Sequence, residues 1–465
     1  MGISSILNTA KTALLAQQTA IQVTSNNIAN VNTPGYARQE AVLAERTPTQ
    51  TNVGLLGNGV EATTVISYFN KYLYTTLARE TTSSEEWKTY EQYFSRIESV
   101  LDENNTNLTS GITAFFNAWQ ELSADPTSTT CRLNVATCGS NLASGIRSMY
   151  TQLQGMQSEL NDGIDQAVDD VNDLLNAIAE LNGQIVSLQT DEQKSSAFVS
   201  QRAQVVKELS SLVNVQTFED SEGALTVMLA GKTVLSKETV FGLKTEASSG
   251  DSNFLSVTWD GNTSTSFDIT KLITGGSLKA LIDLRDNQLP SFMDSIDDLA
   301  ESLITQVNAI HSTGYGANGV DGTQFFQGSE GAYALTFDLS DLVKTDSQYI
   351  AVTSSQNSST NNDIALAIAN LGTAKQTIGA SRTTYTDYSA SIASRIGSLS
   401  QNATYLSEYH QNVLTSIQSQ VDSISGVSID EEMSNLIKFQ YAYQAAARLI
   451  STAEAMMDSL LEVVR

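Results

Sequence analysis

Apolar positions recur at both ends of this 465-residue chain with the alternating steps of four and three that hold one helical seam against a partner. The first row runs Ile3, Leu7, Ala10, Leu14, Gln17, Ile21, Thr24, Ile28. The second runs Ile429, Met433, Leu436, Gln440, Tyr443, Ala447, Ile450, Glu454, Met457, Leu461, Val464. Both predict amphipathic helices whose apolar stripes pair, and a chain with paired ends carries its middle outward as a separate body. Few large aliphatics line the first stripe, and their burial is too small to offset the entropy of ordering the whole helix. The N-terminal helix is therefore expected to fold fully only when neighbouring subunits cover it.

Between the ends the period changes twice. Helical spacing predicts helices over 68–103, 108–123, 128–190 and 194–213, the third with apolar residues at 160, 164, 168, 171, 174/175, 178, 181, 185 and 188. From Val215 to about Leu272 the pattern turns to short β-prone runs: 215–218, 224–229, 233–235, 254–259 and 266–269, separated by Gly- and Ser-rich turns. Helix returns over 277–310 with a break near Pro290. A glycine-rich, strand-containing loop comes next over 314–353, then helix over 361–378 and 381–425, with Gly426 ending the run. The expected fold is mainly α with an inserted β domain: paired, coiled-coil-like terminal helices, a long helical-bundle domain and a small outer β domain. The expected division is 1–36 with 427–465, 37–214 with 276–426, and 215–275.

Charge sharpens this picture. The chain has 51 acidic against 25 basic residues, a net charge of −26, yet Lys11 is the only charged side chain between Met1 and Ala37. A surface helix ordinarily carries a charged face; this one carries Ser, Thr, Asn and Gln, which suits a helix surrounded by protein. The acidity lies in the middle of the chain, where it repels other copies and keeps subunits soluble. That balance argues against nucleic acid or an anionic membrane as partner. No apolar run approaches membrane-spanning length, and the start lacks a basic-then-apolar secretory signal.

Candidate chemistry is sparse. Cys131 and Cys138 fall on one helix seven residues apart, about 10.5 Å of rise, too far for a disulfide within the chain; they read as small apolar side chains or idle thiols. His311 and His410 have no metal-spaced neighbours. Asp162, Asp165, Asp169, Asp170 and Asp173 lack EF-hand spacing and read as a solvated helix face. The glycines at 54, 57 and 59 lack the Lys-Ser/Thr of a phosphate loop and read as a hairpin turn. No catalytic, cofactor-binding or metal-binding residue is singled out, and no cofactor is expected.

The first helix ends in Asn26-Asn27-Ile28-Ala29-Asn30-Val31-Asn32-Thr33-Pro34-Gly35-Tyr36, where Pro34 stops the helix and Gly35 permits the positive φ of a type II turn. This segment, with Ala13-Leu14-Leu15-Ala16-Gln17-Gln18, closely resembles the N-terminal signature of the bacterial flagellar rod, hook and hook-associated proteins. Gly426-Val427-Ser428-Ile429-Asp430-Glu431-Glu432 followed by Leu436–Ala446 resembles the C-terminal signature of the same family. Pro34–Gln39, Ser123-Ala124-Asp125-Pro126 with Arg132, and Gly322-Thr323-Gln324-Phe325-Phe326 look most like its hook-associated members.

The resemblance implies a non-enzymatic subunit at the junction of hook and filament, exported through the flagellar type III apparatus and assembled outside the cell as a ring. It implies as partners other copies of the chain, the hook protein, hook-associated protein 3 and an export chaperone (FlgN-like) on the C-terminal helix. By motif position Asn26, Asn27, Asn30, Thr33, Pro34, Gly35 and Tyr36 form the turn from the inner helical layer to the next. The stripes predict Ile3, Leu7, Leu14, Ile21, Ile28, Met433, Leu436, Tyr443, Ile450, Met457, Leu461 and Val464 as subunit-packing residues. Another axial component, such as hook-associated protein 3, is the alternative; a cell-wall hydrolase carried on flagellar termini is a more distant one.

Overall fold

The structure, a computed structural model, describes residues 2–51, 54–102, 108–188, 192–248, 254–261, 266–356 and 361–463. The expected helix ends at Glu103 and residue 190, and the seam residue Val464, lie outside them. The chain opens with α1 (Ile3–Ala29), strands β1 (Gln39–Glu45), β2 (Thr49–Thr51), β3 (Gly54–Leu56) and β4 (Val60–Ser67), and helices α2 (Lys71–Asp102), α3 (Leu108–Ala124), α4 (Thr129–Ser187) and α5 (Glu192–Leu212). Strands β5 (Val215–Glu219), β6 (Leu225–Leu229), β7 (Lys232–Ser236), β8 (Thr239–Val240), β9 (Leu243–Ala247), β10 (Leu255–Trp259) and β11 (Phe267–Asp268) succeed them. Next come α6 (Ser277–Asp283), a π-helical turn (Leu284–Gln288) and α7 (Leu289–His311). Then β12 (Phe326–Gln327), α8 (Tyr333–Thr336), β13 (Asp338–Leu339), α9 (Asp341–Thr345), α10 (Asp363–Leu371), β14 (Gln376–Ile378), β15 (Ser381–Thr383), α11 (Tyr385–Ser425) and α12 (Ile429–Val463) complete it. The protein is mainly α with an inserted β region.

Two compact units divide the chain: 1–85 with 167–276 and 409–465, and 86–166 with 277–408. In the first, α1 packs on α12 and on the β1–β4 ribbon. The ribbon pairs Gln39 with Ser67 and Glu45 with Val60, with a bulge at Val42/Leu43. The β5–β8 sheet and the β9–β11 sheet are antiparallel. Two asparagines of α4 fasten them. Asn172 exchanges both amide bonds with the Leu243 backbone (2.9 and 2.8 Å). Buried Asn182 accepts from the Leu225 N–H and donates to the Leu225 and Lys237 carbonyls. Buried Arg202 of α5 donates to Asn182, to the Gly223 carbonyl and to Glu219, which also pairs with Lys71.

The second unit has one large apolar core. Phe115 and Trp119 of α3 meet Phe325 edge-on or tilted, and Phe326 bridges Phe115 to Phe337; all five are fully buried. Asn308 of α7 positions Phe325 and Phe326 by accepting from both their N–H groups and donating to the Phe326 carbonyl. His311 is fully buried. Its Nδ1 faces the Thr323 carbonyl at 2.8 Å and its Nε2 accepts from the Ala351 N–H at 2.9 Å, so the proton sits on Nδ1. The helix expected over 277–310 is continuous except for the π turn. Pro290, at the start of α7, supplies no N–H, and the looser turn before it absorbs that loss. The pattern over 361–378 is not one helix: α10 ends at Leu371 and the β14–β15 hairpin comes after it. Its turn residue Gly379 has φ +53°, and a Cβ there would lie 2.1 Å from Asp298 Oδ2. Cys131 and Cys138 on α4 are free, half-buried and packed against the core.

Candidate assembly interface at the paired terminal helices

The end of α1 is built from its own asparagines. The Asn30 N–H closes on the Asn26 and Asn27 carbonyls, while its side chain donates to Asn26 O and Oδ1 (2.9 and 3.0 Å) and accepts from Thr33 Oγ1. Thr33 to Tyr36 then form a turn closed by the Tyr36 N–H on the Thr33 carbonyl (3.2 Å), with Gly35 at φ +74°. Only glycine holds that angle without strain, and a Cβ there would come within 2.9 Å of Gln204 Cβ. The turn faces a cavity of about 840 Å³ that is also lined by Gln204, Lys207 and Ser425–Ser428.

Asn27, fully buried, is the hub of this junction. Its Oδ1 accepts from the Gln39 N–H (3.0 Å) and the Tyr36 hydroxyl (2.9 Å); its Nδ2 donates to the Gln39 carbonyl (2.8 Å) and to Glu432 Oε2 (3.0 Å). Glu432, also buried, takes Arg38 Nε on its other oxygen at 2.7 Å. Arg38 holds the backbone as well: its N–H donates to Ser425 O (2.8 Å) and its carbonyl accepts from the Tyr68 N–H (2.9 Å). Four distant stretches, the ends of α1 and α11 and the starts of β1 and α12, thus meet on one closed set of hydrogen bonds. Burial and then the Glu432 charge push the Tyr36 phenol up to about 12, against a smaller lowering by the Asn26 hydrogen bond. The hydrogen bond to Glu432 raises the Arg38 guanidinium above its ordinary value.

The turn residues named from sequence (Asn26, Asn27, Asn30, Thr33, Pro34, Gly35 and Tyr36) come together here. Sequence reasoning missed Arg38, Gln39, Ser425 and Glu432. Arg38 carried a faint signal as the first cation after Lys11. Glu432 stands in the C-terminal motif but was not assigned to the turn, because Asp430, Glu431 and Glu432 all suit the first turn of α12 equally well.

The helices run antiparallel from this junction, since Asn27 meets Glu432 while Ile3 shares a surface depression with Thr452, Met456 and Leu460. What they bury is small: Ala10, Ala16, Ala20 and Val23 on α1, Ala446 and Ala453 on α12. Ile3, Leu7, Leu14, Ile21, Ile28, Leu436 and Ile450 are half-covered, whereas Met433, Tyr443, Met457 and Leu461 are exposed. A further uncovered row on α12 runs Ile429, Met433, Ile437, Tyr441, with Tyr441 at 69% exposure.

A model of the flagellar hook-associated protein FlgK helical domain matches residues 94–326, half of the chain. The chain belongs to the flagellar hook-associated protein FlgK family. Its ends match two broader models, a flagella basal body rod protein over 7–36 and the flagellar basal body rod FlgEFG protein C-terminal over 418–463. The FlgK-type chain is 28% identical to flagellar hook-associated protein 1 of Bacillus subtilis, covering 98% of this chain and 97% of that one. It is 26% identical to the Escherichia coli protein of the same name, over 99% and 100%. Its fold matches the flagellar hook junction protein FlgK of Burkholderia pseudomallei with a TM-score of 0.68 and 15% identity, covering 75% of this chain and all of that one. It is a component of the bacterial flagellum.

Proposed function

We propose that this protein is a non-enzymatic junction subunit that joins the flagellar hook to the filament, assembling as a ring through its terminal helices after type III export. The observation that carries this reading is the division of labour on α12. One face, with Glu432, Ala446 and Ala453, is spent on α1; another leaves Ile429, Met433, Ile437 and Tyr441 in solvent. Apolar rows of that length on a helix ask for protein cover. Small residues between α1 and α12 let the backbones approach closely and reserve the large side chains for neighbouring copies. On this reading Ile3, Leu7, Leu14, Ile21, Ile28, Met433, Leu436, Tyr443, Ile450, Met457 and Leu461 pack between subunits. The Asn26–Tyr36 turn with Arg38 and Glu432 sets where the inner helix pair leaves the next layer. The hook protein lies on one side of the ring and hook-associated protein 3 on the other, and a FlgN-like chaperone covers the α12 row before export.

Adding purified protein to isolated hooks and imaging the ends by electron microscopy tests this. The expected result is a layer at the distal end that then recruits the next junction protein. Bare hook ends would move the chain to another position along the axis.

A further inference from the structure

Three arginines are buried among the described residues: Arg132, Arg202 and Arg285. Arg202 pairs with Glu219 and Arg285 with Asp286. Arg132, one turn into α4 and 7% exposed, pairs with no acid among the described residues; its Nη1 donates to the Ile350 carbonyl (2.6 Å) and its Nη2 to the Pro126 carbonyl (2.9 Å). Asp125, the nearest acid in sequence, instead accepts from Thr127 Oγ1. Burial lowers the Arg132 pKa with no acid opposing it, yet a guanidinium stays protonated in proteins. Arg132 therefore carries a buried positive charge whose hydrogen-bond partners among the described residues are carbonyls, an arrangement that buried charges ordinarily avoid.

The same side chain lines a cavity of about 410 Å³ with Pro126, Thr127, Tyr315, Gly319, Gln356 and Asn361, none of them acidic. Two of its five N–H groups are used, so three have no partner among the described residues. The cavity adjoins the start of the 59-residue α4, whose helix dipole adds positive potential. We propose that this cavity binds a small oxyanion, a carboxylate or phosphate group, against the free edge of the Arg132 guanidinium. The planar fork suits either group, and cavity size admits both.

The test is calorimetric titration and thermal unfolding of the full chain with inorganic phosphate and, separately, acetate, each against chloride at constant ionic strength. A saturable binding isotherm and a matching rise in unfolding midpoint are expected, and their relative size tells which anion class the site prefers. Arg132→Gln should remove both. Ala317→Glu places a carboxylate on the cavity wall at an exposed position whose own side chain makes no hydrogen bond. It should abolish the anion response, and it decides the matter if Arg132→Gln does not fold. No saturable response to either anion in the unaltered chain, an equal response in Arg132→Gln, or an unchanged response in Ala317→Glu would overturn the proposal.

Discussion

Asn27 satisfies both sides of its amide inside protein, so its removal strands several partners at once. In Asn27→Ala the Gln39 N–H and carbonyl are left buried, and Glu432 loses a donor. A loss of about 2–4 kcal/mol is expected in the first unit, read as accelerated exchange of the Gln39 amide. Tyr36 adds a pH dependence of known sign. Its folded pKa, about 12, stands above its unfolded value of 10.0, so its contribution is complete below pH 10 and disappears as pH rises through 12. Absorbance titration of tyrosinate against Tyr36→Phe measures it. His311 behaves oppositely although burial is the main cause in both, because its charged form is the protonated one. Burial lowers it from 6.5 to about 4, so its contribution is complete above pH 6.5 and lost as pH falls towards 4, on the order of 3 kcal/mol in all. Protection of the Ala351 amide, which donates to its Nε2, measured relative to its intrinsic exchange rate, should fall across that window, and His311→Asn should remove the dependence. The asparagines and the turn were legible in the sequence because Asn, Pro and Gly act on backbone next to them. Glu432 was not, because its partners lie some 400 positions away and nothing local separates it from Glu431.

Among the elements, α4 shows how one helix serves two environments. Its buried row, including Leu160, Ile164, Val168, Val171, Leu175, Ile178 and Ile185, follows the expected 3.6-residue period, and Asp162, Asp165, Asp169, Asp170 and Asp173 all face solvent. Periodicity finds such helices because hydrophobic burial is periodic. It does not find Asn172 and Asn182, which interrupt the buried face to grip strand backbone. Asn182→Ala should cost about 2–4 kcal/mol, since it unmakes bonds to Leu225, Lys237 and Arg202. Asn172→Ala, at a half-buried site with two bonds, should cost about half as much. Amide exchange at Leu225 and Leu243 compares the two directly. The β14–β15 hairpin escaped the pattern because its strands are three residues each, too short to alternate visibly, and one glycine decides the reversal.

In the whole molecule the interest lies in what remains uncovered. Met433→Asp and Tyr441→Asp alter exposed positions on α12, so the monomer should melt within about 0.5 kcal/mol of the unaltered protein. On the proposed function the same changes should abolish capping of isolated hooks in electron micrographs; retained capping would place the subunit contact elsewhere. The seven-residue repeats, the scarcity of charge up to Ala37, the β-prone insert and the Asn-Pro-Gly turn were determined by sequence alone. They rest on local periodicity and on backbone preferences of single residues, which need no partner to be read. Tertiary structure alone decided which face of α12 meets α1, that Glu432 rather than its acidic neighbours enters the junction, and that Arg132 is buried with no acid partner among the described residues. Each of those depends on which distant segments meet, and burial, hydrogen-bond closure and charge pairing acquire values only once they do.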